Sequence, residues 1–189
     1  MVKIASSLAF LLFLIVGISC SNSSQFQLAK NQVGPLNSKT PMHEIKNLFA
    51  KDSVVKILSE GMLGYRGAYS QEDDVYLVYA KGGKHLLTIT PREPLDSLST
   101  IRNVAVHDAI YTTKNGIGLN SVFSEINLMS RIPKVEATFT KAILYLDDLN
   151  ATMTLNKSDL GIKTIRLEPI QLEQIPDAVK PQSFVIWFD

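Results

Sequence analysis

Two stretches of this chain lie on one another without a gap. Thr40-Pro-Met-His-Glu-Ile-Lys-Asn-Leu-Phe49 matches Ser121-Val-Phe-Ser-Glu-Ile-Asn-Leu-Met-Ser130. A hydroxyl residue opens each, Glu44 and Glu125 share a position, and so do Ile45 and Ile126. Leu-Asn-Ser occurs in both approaches, at Leu36–Ser38 and Leu119–Ser121, and Gly34 and Gly118 stand ahead of the hydroxyls. Ser and Thr are good helix caps, and an acid in the first turn suits a helix start. Met42, Ile45, Leu48 and Phe49 in the first copy, and Phe123, Ile126 and Met129 in the second, then predict one buried face each. Capping rules alone can make two helices look alike. The shared Leu-Asn-Ser favours duplication, and internal similarity is read before a fold is assigned.

Each helix leads into segments that read as strands joined by hairpins. Ser53–Ser59, Val75–Ala80, Lys84–Thr90 and Leu98–Val106 come after the first. Lys141–Leu146, Ala151–Asn156, Ile162–Leu167 and Ser183–Phe188 come after the second. Gly82-Gly83 can take positive φ and predicts a tight hairpin turn; Asp147–Asn150 predicts another. Pro176–Val179 predicts a helical turn. Hairpins dominate the connections, so the expected fold class is α+β: an antiparallel sheet with two short helices packed against it, built from two copies of a helix-plus-hairpin unit.

The start of the chain concerns address. Lys3 is followed by an apolar run, Ile4–Ile18, then Ser19 and Cys20. The run is shorter than the roughly 20 apolar residues a spanning helix needs, and Ser21-Asn22-Ser23-Ser24 after it is uncharged. This predicts a cleaved export signal over residues 1–20. Gly17-Ile18-Ser19-Cys20 resembles a bacterial lipobox, in which the cysteine receives a diacylglycerol. Gly17 departs from it, because a large aliphatic usually stands there. Cys20 is the predicted lipidation site, residues 21–31 a flexible tether, and 32–189 one domain. Ser21 rather than an acid after Cys20 suits the outer membrane. Secretion from a eukaryotic cell competes with this address, since Asn22, Asn150 and Asn156 each open a glycosylation sequon.

Charge and cysteine usage exclude several functions. Without Lys3 the basic side chains fall from 19 to 18 and match the 18 acids. No like-charged run stands out, so nucleic acid is not an expected partner. Cys20 is the one cysteine, so the exported domain has neither disulfides nor thiol chemistry and depends on its core. A chain of this length can bury roughly 70% of its unfolded surface.

The chemical candidates are few. His107-Asp108 pairs a base with an acid, but neighbours on a strand point to opposite faces. His43, His85 and His107 stand apart without ligand spacing, so no zinc site is expected, and no cofactor. Glu72-Asp73-Asp74 and Asp147-Asp148 lack the alternation of a calcium loop and read as solvated turn residues. Gly116-Ile117-Gly118 lacks a third glycine and reads as a turn into a helix capped by Ser121. In the loop from Gly61 to Asp74, Tyr65, Arg66 and Tyr69 are residue types common at binding hot spots, and they are the candidate binding residues.

With these residues laid out, the chain resembles an uncharacterised family of envelope lipoproteins from enterobacteria. The likeness rests on the lipobox, on Val33-Gly34-Pro35-Leu36…Thr40-Pro41 and on the hairpin from Tyr76 to Ile89. It continues through Thr100–Asp108 into Gly116-Ile117-Gly118…Phe123-Ser124-Glu125 and ends on Ile186-Trp187. The resemblance implies an exported, lipid-anchored α+β domain and carries no activity with it. The resulting expectation is a lipoprotein of the bacterial envelope whose domain binds or assembles rather than catalyses. Its partners would be the membrane, through the lipid, and an envelope protein. A hydrolase with an unidentified site is the alternative.

Overall fold

Alternation of apolar and polar residues builds one large sheet. The computed structural model describes residues 25–58, 74–162 and 169–189. In Val75–Tyr79 (β5) Tyr76 and Val78 are buried while Val75, Leu77 and Tyr79 are half-buried. Lys141–Leu146 (β10) and Ala151–Asn156 (β11) alternate in the same way. Period-two burial gives each strand one core face and one outer face. These strands join Ser53–Ile57 (β4), His85–Pro91 (β6), Ile101–Val106 (β7), Lys134–Ala137 (β9) and Ser183–Trp187 (β12) in the order β4-β5-β6-β7-β12-β11-β10-β9. Every neighbouring pair is antiparallel.

Short elements cover the core face. Gln27–Ala29 (β1), Gln32–Val33 (β2), Leu36–Asn37 (β3) and Thr112–Thr113 (β8) form a small second sheet. Met42–Glu44 is a 3-10 turn that runs into helix α1, Ile45–Leu48, and Phe123–Met129 is helix α2. Helices this short are not stable alone, so packing holds them. Ile45 and Ile126 are fully buried, contributing roughly 1.5–3 kcal/mol each. The fold is the expected α+β class, an antiparallel sheet with two short helices on it.

The order β4-to-β7 and β12-to-β9 is two four-stranded meanders, each preceded by a helix and joined through β7 and β12. Equivalent hydrogen bonds recur in both. The amide of Thr40 donates to Asn37 O and that of Ser121 to Gly118 O, at 3.1 and 3.2 Å. Met42 and His43 donate to Ser99 O and Ser97 O; Phe123 and Ser124 donate to Val179 O and Asp177 O. Ser99 N donates to Asp96 O, and Val179 N to Pro176 O. His107 N donates to Leu86 O, and Trp187 N to Asn150 O. Capping rules dictate none of the bonds between helix and distant loop, so they argue for duplication independently of the helix sequences. Ala105 and Val185 pair at the centre. The outer-face row Leu77–Thr88–Ala105 on one side is then matched by Tyr145–Thr152–Val185 on the other.

Several local expectations differ. Residues 25–31 of the expected tether are folded, because Phe26 packs edge-on against Tyr111 and β1 pairs with both β2 and β8. Leu48 and Met129 are exposed rather than buried. Each lies six residues after the first buried position, and a three-residue step falls about 60° short of a full turn, so two steps leave the apolar stripe. Thr40 and Ser121 do not cap the helices; each hydroxyl closes the loop before its helix, accepting from Asn37 N and Gly118 N at 3.0 and 3.2 Å. Glu125 caps α2 instead, accepting from Val122 N at 3.0 Å. In the Gly82-Gly83 turn only Gly83 takes positive φ, at 80°. Strand β9 is an addition to the expected elements, the strand expected at Ile162–Leu167 lies outside the described residues except for Ile162, and Leu172–Gln174 adds a 3-10 turn. Among the described residues no helix is long and apolar enough to cross a membrane.

Candidate functional site

The outer face of the large sheet carries two ring-bearing clusters at equivalent places. In the first meander Tyr79 stacks on His85 with centroids 4.8 Å apart, and His85 stacks on His107 at 3.9 Å. The histidines expected to stand apart therefore meet, because β6 and the end of β7 are neighbours in the sheet. Nε2 of His85 lies 3.1 Å from Leu87 O and 3.1 Å from Thr88 Oγ1, which in turn lies 2.9 Å from Nε2 of His107. A carbonyl only accepts, so Nε2 of His85 carries a proton. Thr88 Oγ1 thus bridges the two imidazoles. Burial, and secondarily the neighbouring His85, lowers the pKa of His107.

This cluster has a hydroxyl on an imidazole but, among the described residues, lacks the rest of a nucleophilic site. Among the described residues neither His85 nor His107 is oriented by a carboxylate, as an activated hydroxyl would need. Asp108 turns away from His107. It binds Lys84 at 2.8 Å and accepts from Ile110 N at 3.0 Å. Burial alone would raise its carboxyl, but the Lys84 hydrogen bond, the Ile110 amide and the Lys84 charge together hold it below the usual range. His43 lies elsewhere, its Nδ1 donating to Ser97 O at 3.2 Å. Among the described residues no three His, Cys, Asp or Glu side chains converge as a metal site. The acid clusters differ from each other. Asp147 and Asp148 sit at the β10–β11 turn, with Asp147 near Arg131 at 3.6 Å and Asp148 accepting from Arg131 N. Asp74 is not a solvated turn residue: it is buried, accepts from Leu95 N at 2.8 Å and pairs with Lys56 at 3.7 Å.

The second meander holds a cleft of about 500 Å³ between Tyr145 and Trp187. Its floor is Ile143 and Thr152, and the turn residues Asp147 and Asn150 stand at its end. Trp187 is 39% exposed, and its Nε1 donates to Thr152 Oγ1 at 3.2 Å. Tyr145 donates to Glu136 at 2.6 Å, and Glu136 pairs with Lys134. The Lys134 ammonium lies over the Tyr145 ring at 5.2 Å. The Glu136 hydrogen bond, with some burial, raises the Tyr145 hydroxyl and keeps it neutral. Asn150 Nδ2 donates to Trp187 O and to Asp189, each at 3.0 Å. The cleft is thus an aromatic-walled recess in which each lining polar side chain has at least one partner.

No residue of this cleft is singled out by the sequence as a site, although Trp187 falls on the closing strand. A signal does exist: Ser183–Trp187 alternates, so its last residue has to face away from the core. The candidate binding residues Tyr65, Arg66 and Tyr69 lie outside the described residues, as does Cys20.

No protein-family model matches the chain, and no curated protein matches it. A solved structure is similar in fold: an uncharacterized protein, yfeY, from Escherichia coli. It is 13% identical, with a TM-score of 0.52, over 85% of this chain and 99% of that one. At that identity the likeness concerns fold alone.

Proposed function

We propose that this protein is a lipid-anchored component of a bacterial envelope. Its domain is a non-enzymatic binding module that engages an envelope protein through the Trp187–Tyr145 cleft. One observation carries the binding part. Two aromatic rings wall an open recess on an otherwise self-satisfied sheet face, and exposed aromatics of this kind anchor interfaces. The anchor rests on the sequence: Lys3, the apolar run to Ile18, and Cys20 beside an uncharged linker. Stable anchoring takes two or more acyl chains, which a diacylglycerol on Cys20 supplies. Ser21 supports placement at the outer membrane. A fold like that of an enterobacterial protein fits a bacterial source.

Two experiments separate these parts. Metabolic labelling with a fatty acid marks the wild type and leaves Cys20→Ala unlabelled; equal labelling of both removes the anchor. A photo-crosslinking amino acid at Ile143, in the cleft, traps a discrete envelope protein that Trp187→Ala no longer traps. The same crosslinker at exposed Leu128 is the control. Capture that is equal from both positions, or indifferent to Trp187→Ala, removes the cleft.

A further inference from the structure

The two meanders differ at one place, and that difference describes what the cleft lacks. His107 and Trp187 are equivalent. Each stands two residues beyond the central Ala105–Val185 pair, and each amide donates to the hairpin strand beside it, to Leu86 O and Asn150 O. Each ring nitrogen also meets a threonine hydroxyl, Thr88 for His107 and Thr152 for Trp187, at 2.9 and 3.2 Å. These threonines are equivalent in register too.

One face of the His107 ring is covered by His85, in a nearly parallel stack inclined by 20°. The reason is a bulge. Pairing slips between Val78 and Tyr79, so Tyr79 faces His85 and Leu86 is the extra residue. An extra residue re-aims the side chain before it. In the second meander β10 and β11 pair without a slip from Lys141 to Leu146. The residue before Asn150 is Leu149, which is buried. Among the described residues the second meander therefore has the ring platform and the threonine but no ring stacked on them, and the cleft lies beside the platform.

We propose that the bare face of Trp187 seats a flat aromatic or imidazole side chain presented by a partner polypeptide, in the place that His85 fills within the first meander. The inference rests on the binding reading of the same cleft and names its occupant. The internal copy shows a ring in that seat. The engaged donors of the cleft weigh against a sugar, whose hydroxyl oxygens need free donors to accept from. Here Nε1 of Trp187, Nδ2 of Asn150 and the Tyr145 hydroxyl already have partners. A flat ring asks mainly for a face, and aromatic pairs add to simple burial when offset or edge-on.

Trp187 is the one tryptophan of the chain, so its indole gives a single, assignable signal. The purified protein with a nitrogen-15-labelled indole is titrated with N-acetyl-tyrosinamide, N-acetyl-histidinamide, N-acetyl-leucinamide and methyl α-glucoside. The aromatic amides shift the indole resonance saturably, and the leucine amide binds about tenfold more weakly. Methyl signals of Ile143 shift with the same midpoint. Saturation by the glucoside at the strength of the aromatic amides overturns the occupant, as does no saturable shift with either aromatic amide at tens of millimolar. If those probes fail while crosslinking from Ile143 still depends on Trp187, the occupant class is wrong and the cleft stands. Loss of that dependence removes both.

Discussion

Removing the Ser121 hydroxyl should cost more than removing its counterpart at Thr40, and burial sets the order. Both hydroxyls accept an amide from the residue three positions earlier, at 3.2 Å from Gly118 and 3.0 Å from Asn37. Gly118 is buried against Tyr111, with so little room that a Cβ there would come within 2.7 Å of Tyr111 O. Water cannot readily replace the hydroxyl, so Ser121→Ala leaves an orphaned buried donor at about 1–3 kcal/mol. Asn37 is exposed, and its amide can turn to water. Thr40→Val, which keeps the side-chain shape, should therefore cost only about 0.5–1.5 kcal/mol. At about 2–4 °C per kcal/mol for a chain of this size, Ser121→Ala lowers Tm by roughly 2–12 °C. Thermal and urea unfolding of the two variants, with Ser121→Thr as the hydroxyl-keeping control, measures this. A Tm for Ser121→Ala within error of wild type would refute the reasoning. So would a larger loss for Thr40→Val than for Ser121→Ala.

Other parts of the molecule give three further expected outcomes. Asp74→Ala removes a buried acceptor from Leu95 N and a partner from Lys56, and should destabilise by about 1–3 kcal/mol in urea unfolding, whereas the exposed Asp147→Ala should change little. His107 has a folded-state pKa below its ordinary 6.5, so the unfolded chain takes up the proton first as pH falls. Its contribution is complete above 6.5 and is lost as pH drops below it; a His107→Gln protein should show a flatter pH–stability curve between about pH 7 and 5, and parallel curves would count against the stack. Asp108, also near this end of the sheet and paired with Lys84, is held below the usual carboxylate range and keeps its charge across that window. Replacing Tyr65, Arg66 and Tyr69 together by Ala should reduce capture of the crosslinked partner, and unchanged recovery excludes these residues from the interface.

Local chemistry makes much of the fold legible and leaves the site hidden. The hairpin around Asp147–Asn150 is readable because alternation and turn residues agree there, and β10 and β11 begin and end where alternation does. The helix repeat is readable because cap, acid and apolar spacing sit within a few residues. Leu48 and Met129 mislead because each three-residue step looks helical by itself, while two in succession rotate about 120° off the face. Strands β1, β2, β3 and β8 carry too few residues for any period to show. The stack of His85 on His107 depends on which strand lies beside which, and on a bulge that shifts pairing by one residue. Neither is written in local spacing.

The duplication also explains where the two halves were free to diverge. The paired strands and the helix-to-loop hydrogen bonds coincide, because losing one would orphan a backbone group. The connections do not coincide. The first half carries its long connection between β4 and β5, over residues 58–74, where the second half has only 138–140. The second half carries its long connection between β11 and β12, over residues 157–182, where the first has 92–100. A bulge differs in kind, because it re-aims a side chain on the sheet itself. The Val78/Tyr79 slip closes one platform with His85, and its absence opens the other at Trp187. Inserting one residue between Leu149 and Asn150 should therefore turn a side chain outward over Trp187. With histidine inserted, the indole signal should move toward its probe-saturated position and lose its response to N-acetyl-tyrosinamide, whereas the same insertion as glycine should leave the seat open. A histidine insertion that folds, by its Tm, yet still takes the aromatic probe would show that the two platforms are not equivalent.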